Sequence, residues 1–170
     1  MFFIGLGGTS IYAALRLEYE AVLRLMKLTA PLGVPRRDRP FPHITILPPT
    51  LNLTIDVIND VKSYLSQVEL ISIEFERLKI LEGGTNGSCY LSLMIAANAR
   101  LEKIRRELFR IARAPAAGHI FHVSIAVFAT ETAAKRAQEV CCLEDILGRT
   151  LQTSGVIVDH RVEECYPHLM

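Results

Sequence analysis

Four residues of this chain have the types and spacing for proton-transfer chemistry: His43 with Thr45, and His122 with Ser124. They lie in two stretches of one pattern, Phe41-Pro42-His43-Ile44-Thr45-Ile46-Leu47 and Phe121-His122-Val123-Ser124-Ile125-Ala126-Val127. Each reads His, apolar, hydroxyl, apolar. In a β-strand successive side chains point to opposite faces, so the His and the hydroxyl share one face and the apolar residues share the other. Such a strand buries one face and presents on the other a proton carrier beside a hydrogen-bond donor. Imidazole titrates near neutrality and serves as base or acid. One such strand alone is an ordinary sheet surface; two make a symmetric site.

The elements that must position these strands follow from hydrophobic period and turn chemistry. Phe2 to Leu6 reads as a short core strand, with Gly7-Gly8-Thr9-Ser10 as turn and N-cap for an amphipathic helix from Ile11 to about Leu28. A loop marked by Pro31, Gly33, Pro35, Pro40 and Pro42 and carrying Arg36, Arg37 and Arg39 delivers the chain into the first motif strand, which Pro48-Pro49 closes. A helix over about 55–67 and a strand over 69–81 with a bulge follow, the strand burying Ile71, Ile73, Phe75, Leu78 and Ile80. The turn Gly83-Gly84-Thr85-Asn86-Gly87 falls near mid-chain, and after it the order repeats: strand 89–96, helix 98–112, loop 115–118, motif strand 120–128, helix 131–142 and closing strand 155–165.

Each half therefore reads strand, helix, motif strand, helix, strand, with His43 and His122 79 positions apart. This is a duplicated architecture. The expected fold is a single α+β domain over residues 1–170, with lobes of about 1–82 and 88–170 related by a pseudo-two-fold axis. The motif strands lie side by side across a central cleft, where sites are favoured.

Composition narrows the function. Half of the 170 residues are apolar, enough for a sizeable core, and 19 Lys and Arg against 18 Asp and Glu leave no net drive toward duplex nucleic acid or an anionic membrane. Cys89, Cys141, Cys142 and Cys165 form no CxxC pair or disulfide ladder, so a reducing compartment, the cytoplasm or nucleus, is expected. The apolar amino terminus lacks the basic start of a signal peptide, and Arg16, Glu18 and Glu20 interrupt it too early for a membrane span. His119 falls on the opposite strand face from His122, which argues against a metal pair, and His160 and His168 are expected to be solvated. Gly5-Leu6-Gly7-Gly8-Thr9 lacks the Lys-Ser/Thr ending of a phosphate loop and reads as a strand-to-helix turn.

With both motifs in strand context, the chain resembles the two-histidine (2H) phosphoesterase superfamily. Its members include 2',5' RNA ligase-like proteins of bacteria and archaea and cyclic nucleotide phosphodiesterases of plants and fungi. The superfamily signature is a pair of His-x-Thr/Ser motifs, one per lobe, matched here by His43-Ile44-Thr45 and His122-Val123-Ser124. The resemblance implies catalytic roles for His43, His122, Thr45 and Ser124 in a phosphodiesterase that needs neither metal nor cofactor. Hydrolysis of a 2',3'-cyclic phosphate would use His122 as base and His43 as acid, roles that pseudo-symmetry leaves interchangeable at this point. The hydroxyls would hold the non-bridging oxygens. A 2',5'-phosphodiesterase and a non-catalytic RNA-end binding module are the rival readings.

The expected partner is an RNA end or a small nucleotide, bound by a monomer with no membrane association; balanced charge favours the small substrate. Candidate substrate-binding residues are Arg36, Arg37 and Arg39, which either reach a second phosphate or form a solvated loop. Phe41, on the face of His43, is a candidate wall for a nucleoside, whereas Phe121 belongs to the core. Tyr90 shares a face with Ser92 and Met94, and the resemblance implies a cleft-facing aromatic in this strand, set against simple packing.

Overall fold

A computed structural model describes residues 9–32, 42–82, 87–115, 120–141 and 146–162, with backbone alone at 9, 157 and 159–162. The elements run β1 (Thr9–Leu17), α1 (Tyr19–Thr29), a 3-10 turn (Ala30–Leu32), β2 (His43–Thr50), α2 (Ile55–Leu65), β3 (Ser72–Glu82), β4 (Cys89–Ile95), α3 (Ala99–Ile111), β5 (His122–Phe128), α4 (Glu131–Val140) and β6 (Thr150–Val162). The expected order of strand, helix, motif strand, helix, strand is present in both halves.

One expectation fails at the start of the chain. The helix expected from Ile11 begins at Tyr19, and residues 9–17 are strand β1. Ile11, Ala13, Leu15 and Leu17 are all buried, a period of two that the helix-favouring Ala13-Ala14 pair and the helical spacing of Leu15, Val22 and Leu25 conceal. Thr9 and Ser10 therefore lie in β1, away from the start of α1. Glu18 holds the N-cap position, and its carboxylate accepts from the Gln152 backbone N–H at 3.1 Å instead of capping α1. The strand expected over Phe2–Leu6 lies outside the described residues, as do Gly83–Asn86 of the mid-chain turn.

Two further boundaries move. β2 continues through Pro48 and Pro49 to Thr50, which is tolerated because β2 is an end strand and its pairing with β1 is irregular between Leu47 and Thr50. β6 starts at Thr150, five residues before the expected Gly155.

The strands form one six-stranded sheet in the order β2-β1-β6-β3-β4-β5, every neighbour antiparallel. It consists of two three-stranded groups, β2-β1-β6 and β3-β4-β5, joined by a short pairing of Ser72–Glu74 with Thr150–Gln152. Relative to chain order the two halves exchange their closing strands: β6 completes the group of β1 and β2, and β3 that of β4 and β5. β2 and β5 are the two ends of the strand order, yet their Cα atoms come within 8 Å, so the sheet folds back to bring the motif strands together.

Helices seal the other face. α3 packs on β2 and on α2, α4 on β3, β4 and β5, and α1 on β5 and β6, so each group is covered partly by helices from the other half. Asn98 accepts from the N–H groups of Arg100 and Leu101, both at 3.1 Å, and donates to the Ser72 carbonyl at 2.8 Å, which caps α3 and ties it to β3. Buried residues from both groups form one continuous core that includes Ile11, Leu15, Ile44, Phe75, Leu93 and Val123. Among the described residues no helix is long and apolar enough to cross a membrane.

At the joint between the groups, buried Thr153 accepts from the Ile71 N–H at 2.9 Å through its side chain, while its own N–H donates to the Ile71 carbonyl at 2.9 Å. Thr153→Val keeps the shape and leaves that N–H unsatisfied. It should lower stability by about 1–3 kcal/mol in denaturant titration; an unchanged midpoint would show that the joint does not rely on this bond.

Candidate active site

Both motif strands carry a β-bulge at the same place. In the β1–β2 pairing Ala14 faces Thr45 and Ala13 faces Leu47, leaving Ile46 as the extra residue. In the β4–β5 pairing Ser92 faces Ser124 and Leu91 faces Ala126, leaving Ile125. Ile46 and Ile125 each lie three residues after the motif histidine. The bulge lets two consecutive apolar residues face the core, Ile46 with Leu47 and Ile125 with Ala126, while the His and hydroxyl before them stay half-buried on the other face. The burial patterns of the two strands agree through these five residues.

The registers also match the neighbouring strands position by position. Directly opposed residues in an antiparallel pair share a face. Arg16 lies opposite His43 where Met94 lies opposite His122, and Ala14 lies opposite Thr45 where Ser92 lies opposite Ser124. Two residues earlier on the same faces, Tyr12 of β1 corresponds to Tyr90 of β4. The β1–β2 pair thus repeats the register of the β4–β5 pair.

In the first pair the Tyr12 ring stands edge-on to the His43 ring, centroids 6.0 Å apart at 86°, and its hydroxyl is 3.3 Å from Thr45 Oγ1. Burial pushes the Tyr12 phenol up from 10.0, against a smaller lowering by the Thr45 hydrogen bond. In the second pair Ser92, fully buried, lies 3.1 Å from Ser124 Oγ. His122 Nδ1 lies 2.9 Å from the Ile120 carbonyl. A carbonyl only accepts, so Nδ1 carries the proton and, in the neutral ring, Nε2 carries the lone pair.

The remaining candidates are distributed as follows. Tyr90 is half-buried on the Ser92 face. Phe121 is buried beneath Arg105, whose guanidinium lies 4.9 Å from the ring centroid, in keeping with its expected place in the core. Phe41, Arg36, Arg37, Arg39, His119 and His168 lie outside the described residues, and the side chain of His160 is likewise not described. A cavity of about 540 Å³ beside α1, lined by Glu20, Arg24, Lys27 and Ile146 among others, includes no motif residue; Arg24 there is paired with Glu20 at 2.6 Å.

Tyr12 and Arg16 are the neighbours that sequence reasoning missed. Helical spacing places both in a helix, where neither lies beside a strand motif. The missed signal was the alternation of Ile11, Ala13, Leu15 and Leu17, which puts Tyr12, Ala14 and Arg16 on the opposite face.

An antiparallel α+β fold whose end strands each present His-x-Thr/Ser defines a class of protein, and comparison with known proteins assigns the family. Residues 17–160 match the 2'-5' RNA ligase superfamily, and the chain belongs to it, within the 2H phosphoesterases. Among solved structures, a protein described as a phosphoesterase is similar with a TM-score of 0.57 at 9% identity, covering 88% of this chain and 86% of its own. Escherichia coli LigT complexed with 3'-AMP is similar at 0.56 and 13%, covering 88% and 86%. Kluyveromyces marxianus Usb1 with uridine monophosphate is similar at 0.52 and 10%, covering 94% and 96%. At these identities the likeness is one of fold. No curated protein matches the chain.

The position of Tyr12 sets a pH dependence. The folded state holds its phenolic proton more tightly than the unfolded chain does, so the associated stability is fully present below pH 10.0 and lost as pH rises through the raised folded value. Alkaline titration followed by phenolate absorbance should show a late-ionising phenol that Tyr12→Phe removes, and the variant should lose less stability above pH 10.0 than the parent. A Tyr12 that ionises earlier than free tyrosine would contradict its burial.

Proposed function

We propose that the protein is a phosphodiesterase that opens a 2',3'-cyclic phosphate, on an RNA end or a small nucleotide, to a 2'-phosphomonoester by His/His acid–base catalysis. The observation that carries this reading is the duplicated His-x-Thr/Ser strand, bulged at the same residue in both copies, with the two strands brought within 8 Å of each other. Binding alone would not call for two proton carriers. Family membership supports phosphoester chemistry, and the nucleotides held by the LigT and Usb1 structures support a nucleotide as ligand.

In the proposed step His122 Nε2 takes a proton from water as its oxygen attacks phosphorus. The phosphorus–3'-oxygen bond breaks on the opposite side, and protonated His43 gives its proton to that leaving oxygen. The phosphate stays on the 2'-oxygen. His122 ends with one proton more and His43 with one fewer, and exchange with solvent restores both. Thr45 and Ser124 donate to the non-bridging oxygens, where charge is held through the transition state. Arg16, opposite His43, adds a cation to the same face, which suits an anionic substrate. Tyr90 is proposed to contact the nucleotide, and Phe41 with Arg36, Arg37 and Arg39 to border it.

All proton transfers are assigned to side chains of this chain, so no metal or cofactor enters the scheme. His43→Ala and His122→Ala should each reduce turnover at least a hundredfold with the fold intact by circular dichroism, and chelator should leave the parent rate unchanged. Full activity in either variant, or loss of activity with chelator, contradicts the mechanism. The substrate is tested with 2',3'-cyclic mononucleotides, a cyclic-phosphate-ended oligoribonucleotide, ADP-ribose cyclic phosphate and 2',5'-oligoadenylate, with the position of the product phosphate determined. Cleavage of the 2',5'-oligoadenylate alone would reassign the protein as a 2',5'-phosphodiesterase, and RNA binding without any cleavage would make it a binding module.

A further inference from the structure

We infer that each motif hydroxyl works as half of a hydrogen-bonded pair, Thr45 with Tyr12 and Ser124 with Ser92, and that Tyr12 and Ser92 are positioning residues that aim the motif protons at a bound phosphoryl group. The inference rests on the phosphodiesterase reading above and assigns two residues outside the motifs to it. The hydroxyl oxygens lie 3.3 Å apart in the Tyr12–Thr45 pair and 3.1 Å apart in the Ser92–Ser124 pair.

A lone hydroxyl on a strand is a poor fixed donor, because its hydrogen rotates to suit any acceptor. Two bonded hydroxyls hold two protons, of which one lies between the oxygens. In the second pair burial settles which. Ser92 is fully buried and has no other partner among the described residues, so as an acceptor it would leave its own proton unsatisfied in the core. Ser92 therefore donates to Ser124, and the Ser124 proton is left for a ligand. In the first pair the phenol is the more acidic hydroxyl, hence the better donor, and its burial keeps it protonated well past neutral pH. Tyr12 donates and the Thr45 proton is left. An oxygen that accepts one hydrogen bond is polarised to donate another more strongly.

The two halves reach this arrangement by different residues. Where Ser92 lies directly opposite Ser124, the equivalent place opposite Thr45 is Ala14, which has no hydroxyl. Tyr12, one step along the same face, reaches across to supply it and rests against the His43 ring on the way. The pairing persists although the residue that makes it has changed, which is what a shared requirement for an oriented donor would produce.

The test uses inorganic phosphate as probe, titrated calorimetrically into the full chain. Tyr12→Phe keeps the ring against His43 and removes only the hydroxyl; it should weaken phosphate binding about tenfold, as should Thr45→Val, and the double variant should be no weaker than the worse single. Ser92→Ala, Ser124→Ala and their double should behave alike, with thermal midpoints showing all variants folded. A purely structural role for Tyr12 or Ser92 predicts additive losses instead. Parent-like phosphate binding by Tyr12→Phe and Ser92→Ala, or additive losses, overturns the inference and leaves the phosphodiesterase reading standing. Absence of phosphate binding by the parent, or full turnover by His43→Ala, overturns that reading and the inference with it.

Discussion

Ile46 and Ile125 are the residues on which the site turns. A strand alternates faces without exception unless a residue is inserted, and each motif strand has to place a His and a hydroxyl on one face while feeding an apolar run into the core. The bulge reconciles the two demands, since it sends two neighbouring apolar residues inward after the hydroxyl without moving the pair before it. A one-residue slip in either ladder would bury the histidine and expose Ile44 or Val123, at the expense of the core those residues anchor. The buried face thereby fixes the direction of the functional one.

Exchange of the closing strands serves the same end. With β6 beside β1 and β3 beside β4, the two groups are joined at their inner edges by the Ser72–Glu74 pairing, and β2 and β5 are left as the two ends that meet where the sheet folds back. Helices crossing to the opposite group, as α3 does onto β2, hold that geometry from behind. Within this frame the halves differ at their edges: Arg16 and Ala14 in one stand where Met94 and Ser92 stand in the other. A repeated register thus carries different neighbours, with a cation on the His43 side and a buried thioether on the His122 side.

Much of this was legible from the chain. The two motif strands, the four helices as a set, the order of elements in each half and the bulge in β3 follow from hydrophobic period and turn residues. β1 did not, because Ile11 to Leu17 satisfies both periods over a short window and Ala13-Ala14 tilts the choice toward helix. Only the neighbours β2 and β6, far away in sequence, make it a strand. The same ambiguity conceals Tyr12 and Arg16, whose place beside the first motif is set purely by register. The strand exchange was illegible for a similar reason, since chain order says which elements exist and leaves pairing to contacts between distant residues.

The central claim is that His43 and His122 act on one phosphoryl group held between β2 and β5. The most direct measurement is a phosphate titration of the full chain followed by the ring proton signals of the two histidines in NMR, each assigned by its own substitution. The account predicts that both signals move together along a single saturable curve with one dissociation constant. Movement of only one signal, or two curves with different midpoints, would contradict it.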